Sequence, residues 1–95
     1  MSEGKPGHSV SIGERTLRIS DHALDRLRLR GISTEVMAET ILKGEHFQYF
    51  HDGIWKDGYY DKRSALFVGV VDEIITTAIK GVSDSYIANL KAGAP

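Results

Sequence analysis

The pattern of apolar and polar positions divides the chain into a helical half and a sheet half. Residues 14–20 alternate, with Leu17 and Ile19 on one side and Arg18 on the other, as a short edge strand does. Ser20 and Asp21 are both N-cap residues; after them Ala23, Leu24 and Leu27 share one helical face until Gly31 stops the segment, which predicts a first helix. Ile32 and Met37 bracket Ser33 in the manner of a hydrophobic staple. Val36, Met37, Ile41 and Leu42 then recur at helical spacing as far as Gly44, predicting a second helix.

Beyond Gly44 the texture changes to aromatic and β-branched residues cut by Asp52-Gly53 and Asp57-Gly58, two pairs favoured in tight turns. Strands are predicted over 45–51, 58–61, 64–71 and 73–80, the last two joined by a tight turn around Asp72-Glu73. Their adjacency argues for an antiparallel meander. Residues 65–71 are nearly continuous in apolar side chains, the mark of a central strand. A final stretch, 83–90, opens on a capping Ser83 and puts Tyr86, Ile87 and Leu90 on one face, so a short closing helix is expected. The expected architecture is α+β, with two N-terminal helices packed on an antiparallel β-sheet of about four strands and a short C-terminal helix.

A length of 95 residues fits one domain, read here as a flexible leader over 1–13 followed by a single domain over 14–95. The first eight residues lack the positive start and apolar stretch of a signal peptide. No apolar run reaches the roughly 18 residues of a membrane helix, so no membrane partner is expected. The absence of cysteine removes disulfides, thiol nucleophiles and sulfur-based zinc sites. A net charge of −1 excludes bulk attraction to nucleic acid, yet five arginines stand against two aspartates between Arg15 and Arg30, enough for one local basic patch.

Against that background the first helix carries the clearest chemistry. His22 and Arg26 lie four apart and point the same way, along the margin of the face defined by Leu24 and Leu27. A histidine exchanges protons near neutral pH, and an arginine beside it supplies fixed positive charge for a phosphate, a pairing suited to phosphodiester chemistry. The same spacing also describes a helix-edge His beside a solvated Arg. His46 and His51, five apart on a strand, fall on opposite faces and make no joint metal site. No His-x-x-x-His, calcium loop, Walker-type or Gly-x-Ser-x-Gly motif occurs, so any chemistry is expected to need neither metal nor cofactor.

On the last strand, strict alternation puts Ile74, Thr76, Ala78 and Lys80 on one, wetter face and Ile75, Thr77 and Ile79 on the other. Thr76 could hydrogen-bond a phosphate oxygen and Lys80 neutralise one, although Thr is also simply a good strand residue. Tyr59 and Tyr60, followed by Asp61, Lys62 and Arg63, combine aromatic faces with charge and suit either base stacking or a strand end with its turn. Trp55 suits either a small lid on the core or an exposed contact.

The segments SDHALDRLRLRGIS and VMAETILKGE, then YYD, a hydrophobic strand and EIITTAI, resemble small toxin domains at the C-termini of bacterial polymorphic and contact-dependent growth inhibition toxins. That group is similar in fold to the barnase, EndoU, colicin and RelE ribonucleases, and the resemblance spans about Arg18 to Lys80. It implies catalysis by His22, Arg26 and Thr76, with Thr77 one register step away, and substrate contacts from Arg30, Tyr60 and Lys80. The implied reaction is metal-independent RNA cleavage, on tRNA or another structured RNA, with the 2′-hydroxyl as nucleophile. A cognate immunity protein is the implied partner. The implied place of action is the cytoplasm of a target bacterium, after delivery as part of a larger secreted or surface protein. The sequence offers no clear second acid/base partner for His22. The rival expectation is a non-catalytic RNA- or protein-binding module of a toxin–antitoxin or mobile-element system, in which His22 is structural.

Overall fold

The computed structural model describes residues 9–93, which form a six-stranded mixed sheet and three helices. In chain order these are β1 (Ser9–Ile12), β2 (Arg15–Ile19), α1 (Asp21–Arg30), α2 (Thr34–Lys43), β3 (Glu45–His51), β4 (Ile54–Asp61), β5 (Leu66–Val71), β6 (Ile74–Lys80) and α3 (Asp84–Ala92). The strands lie in the order β1-β2-β6-β5-β4-β3, antiparallel throughout except for the parallel pair β2–β6. The α+β class is as expected. The sheet differs: besides the strand expected over 14–20, which forms as β2, it gains β1 ahead of it, and the parallel β2–β6 pair makes it a mixed sheet of six strands, not an antiparallel one of about four. Residues 9–12, read from sequence as part of the leader, form β1; the rest of that leader up to residue 8 lies outside the described residues.

Each helix begins at the residue its sequence signals. Ser20, Ser33 and Ser83 accept from the backbone N–H three residues on, at 3.1, 3.1 and 3.2 Å, and so satisfy donors the first turn leaves open. Helix α1 ends at Gly31 in the left-handed region, whose N–H returns to the last turn. The prediction of a turn at Asp57-Gly58 is overturned: both residues lie inside β4, which starts at Ile54. Gly58 serves there as space, since a Cβ would come within 2.9 Å of the Phe47 ring. The turn at Asp72-Glu73 forms as expected, with both residues at positive φ.

The sheet is covered on both faces. Helices α1 and α2 lay Ala23, Leu24, Leu27, Met37 and Ile41 on Leu17, Ile19, Leu66, Val68, Ile75 and Ala78. Each Leu, Ile, Val or Met among them contributes about 1.5–3 kcal/mol on burial. On the other face α3 sets Ile87 against Tyr49, Tyr60 and Phe67, and Lys91 ties it to β3 through an ion pair with Glu45. Strand β5 is buried almost throughout, in keeping with its apolar run and its interior place in the sheet.

Strand β6 breaks the two-residue alternation. Gly69 pairs with Thr77 and Val70 with Ile75, so Thr76 is an extra residue, a β-bulge. Ile75 and Ala78 therefore both face α1 and α2, while Thr76, Thr77 and Ile79 all line the α3 face. The face assignments made from strict alternation are corrected accordingly: Thr76 does not share a face with Ala78.

Candidate active site

An open cleft of about 360 Å³ lies on the α3 face, where the start of α1, strand β6, the β3–β4 hairpin and α3 meet. Its polar lining comes from His22, Tyr49, His51, Asp52, Lys56, Thr76, Thr77 and Tyr86, and its apolar lining from Phe67, Ile79 and Leu90. His22 arrives there because β2 pairs with β6 only at Arg18 and Ile19, after which the chain turns directly into α1. The Ser20 N–H donates to Ile75 O at 3.0 Å and pins the start of α1 beside the bulge. Helix N-terminus and bulge are thus fixed to each other by a backbone hydrogen bond, and His22 lines the cleft from that junction.

Opposite in sequence, His51 closes β3 on the same face as Tyr49, two residues before it. Its Nδ1 lies 3.2 Å from Lys56 Nζ and 3.4 Å from Asp52 Oδ2. The Lys56 contact uses the lone pair of a neutral ring, whereas the Asp52 contact becomes an ion pair when the ring is protonated. One atom is therefore provided with a partner in either state. His46, on the opposite face as the spacing requires, meets Asp57 Oδ1 at 3.0 Å and stacks on Tyr59 with ring centroids 4.8 Å apart.

Tyr49 forms part of the floor. Its ring packs edge-on to Phe67 at 5.5 Å, and its hydroxyl sits over Gly69, where a Cβ would be 2.5 Å from the oxygen. Burial first, then the neighbouring Tyr86 and Asp57, push its phenol up to about 12, so it is neutral across the physiological range. Thr76 donates its Oγ1 hydrogen to Gly69 O at 3.4 Å, a long bond.

Of the residues singled out in the sequence, the cleft brings together His22 and Thr76, and Thr77 with them. It does not include Arg26, Arg30, Tyr60 or Lys80. Arg26 is half-buried on α1 and makes no hydrogen bond or ion pair among the described residues. Arg30 donates from Nη1 to Ala78 O at 2.9 Å, tying the end of α1 to the edge of β6. Tyr60 is 7% exposed and donates to Asp84 Oδ1 at 2.9 Å, and Tyr59 is equally buried beneath α1 and α2, so neither offers a ring for stacking. Burial, then that hydrogen bond, raises the Tyr60 phenol; the same bond holds Asp84 below its ordinary value. Lys80 lines a separate cavity of about 100 Å³ with Ile32, Ser33 and Ser64. Arg15, counted in the basic patch, is committed to Glu73 at 3.2 Å and to the Tyr59 hydroxyl.

The sequence reading missed His51, Lys56 and Tyr49. Period-two spacing places all three on one face once β3 and β4 are paired in register across Asp52-Gly53, which was the available signal. Trp55, undecided from sequence, is 51% exposed and lies edge-on to Phe50 at 5.4 Å. No helix among the described residues is long and apolar enough to cross a membrane. Comparison with protein-family models, curated proteins and solved structures finds no match to this chain.

Proposed function

We propose that the cleft is the active site of a metal-independent ribonuclease, and that the chain acts as an antibacterial toxin domain on a structured RNA such as tRNA. The observation that carries this reading is the presence of two imidazoles, His22 and His51, in one open cleft floored by threonine hydroxyls. Cleavage by an internal nucleophile needs one base and one acid. A neutral imidazole takes the proton from the 2′-hydroxyl as that oxygen bonds to phosphorus. The other, protonated, imidazole gives its proton to the departing 5′-oxygen, which leaves a 2′,3′-cyclic phosphate and a 5′-hydroxyl. Lys56 supplies positive charge beside His51, and Thr77 supplies a donor for the phosphate oxygens.

The resemblance of the segment from about Arg18 to Lys80 to toxin ribonucleases supports the same reaction, and His51 fills the role of second acid/base group. Such a domain needs an immunity protein in its own cell, and a partner that closes this cleft would present carboxylates to Lys56 and the two imidazoles. The test is induced expression of the domain, and of its His22→Ala and His51→Ala forms, in bacteria with no partner gene, followed by electrophoresis of total RNA. Growth arrest with discrete fragments, lost in both variants, is expected. Equal toxicity from all three forms, or intact RNA throughout, would remove this mechanism and favour a non-catalytic binding module.

A further inference from the structure

Tyr49 is built into the cleft in a way the acid/base pair does not require. Its ring starts on β3, crosses β4 and delivers the hydroxyl to Gly69 on β5, beside the Thr77 methyl. The residue is 4% exposed, yet Oη makes no hydrogen bond among the described residues. Among the described residues Ser64 Oγ alone is a fully buried side-chain oxygen without a partner, so the Tyr49 oxygen reaches the open cleft. The cleft's other polar groups are mostly donors: the Thr77 hydroxyl, imidazole N–H groups and the Lys56 ammonium, the Thr76 hydrogen being held by Gly69 O. The one carboxylate, Asp52, stands at the hairpin turn and is already against His51.

A donor-rich recess with one nearby cation suits a tetrahedral anion. We propose that the inner cleft is a phosphate-binding site in which Tyr49 Oη donates its hydrogen bond to a non-bridging phosphate oxygen, alongside Thr77. The ribonuclease reading makes that phosphate the scissile one, and to that extent the role in cleavage rests on it; phosphate binding itself does not. Because burial keeps the phenol neutral far above physiological pH, it acts as a donor and never as the base. A donor fixed before substrate arrives needs no reorganisation when charge accumulates on the phosphoryl oxygens, so its effect falls on kcat more than on KM. Gly69 belongs to the same device, since any side chain there would occupy the hydroxyl's place.

The test uses the whole domain and its Tyr49→Phe and Thr77→Val forms, with folding checked by thermal midpoint. Inorganic phosphate is titrated against each at constant ionic strength and followed by amide shifts of Gly69 and Thr77, and RNA cleavage is measured in parallel. Tyr49→Phe is expected to weaken phosphate binding at least fivefold and to lower kcat about tenfold or more with KM nearly unchanged. Absence of phosphate binding to the wild type, or equal binding by wild type and Tyr49→Phe, overturns the proposal, whether or not RNA is cleaved. Tyr49-dependent phosphate binding without cleavage by the wild type keeps the site and removes the ribonuclease. Should Tyr49→Phe fail to fold, a Thr77→Val form that binds phosphate as the wild type does overturns the proposal.

Discussion

Thr76 and Thr77, consecutive residues of β6, both turn their side chains to the α3 face of the sheet. The bulge opposite Gly69 and Val70 makes this so, and it lines the cleft with two threonines where a regular strand would supply one, the Thr76 hydroxyl being donated to Gly69 O. Thr76→Val and Thr77→Val each remove a hydroxyl at nearly constant volume. Thr77→Val is expected to lower RNA cleavage about tenfold, the worth of one hydrogen bond made in the transition state, with little change in thermal midpoint, whereas Thr76→Val, whose hydroxyl hydrogen is held by Gly69 O, is expected to change cleavage little. Unchanged cleavage by Thr77→Val would exclude its hydroxyl from the reaction.

Gly69→Ala is expected to destabilise the domain by about 1–3 kcal/mol, because the new methyl meets the Tyr49 hydroxyl at 2.5 Å and Thr77 Cγ2 at 2.7 Å. Removing the obstructing oxygen should restore part of the loss. In urea unfolding, Gly69→Ala is therefore expected to cost less in a Tyr49→Phe background than in the wild type, and a strictly additive pair would show that the two residues do not meet.

Much of this arrangement is legible in the sequence, and the part that is not has definite causes. The three helices follow from serine caps and apolar spacing that are local properties, and β5 follows from its apolar run. Strand β1 is easily passed over because the alternation of Ser9, Val10, Ser11 and Ile12 runs for only 4 residues and depends on pairing with β2. The bulge is hidden because two adjacent threonines fit a strand in either register. His22 and Thr76 were recoverable from the sequence, whereas His51 joins them only through the β3–β4 register, a long-range relation. Arg30, Tyr60 and Lys80 look like substrate contacts in one dimension, but Arg30 and Tyr60 are spent on holding the fold and Lys80 faces a different cavity.

Arg30→Ala illustrates the difference between those roles. It removes the hydrogen bond to Ala78 O, and because the guanidinium is otherwise exposed the expected loss is about 1 kcal/mol of stability. Arg30→Ala is expected to lower the urea midpoint while RNA cleavage by the folded protein stays within about twofold of wild type. A large fall in cleavage at unchanged stability would return Arg30 to the substrate.

The Tyr49 phenol also sets an alkaline limit on stability. Its value rises from 10.0 in the unfolded chain to about 12 in the folded one, so the folded state holds this proton more tightly. The associated stability is complete below pH 10 and is lost as pH climbs towards 12. Urea midpoints measured at pH 9 and pH 11 are expected to fall further for the wild type than for Tyr49→Phe. Parallel losses would place the alkaline sensitivity elsewhere.

The cleft draws on residues from His22 to Leu90, nearly the full span of the described chain. No contiguous fragment that stops short of α3 contains all of its walls, and none that starts after α1 contains both imidazoles. The proposed site therefore exists only once the last helix has docked, and a nascent or partly unfolded copy lacks it whatever its local structure.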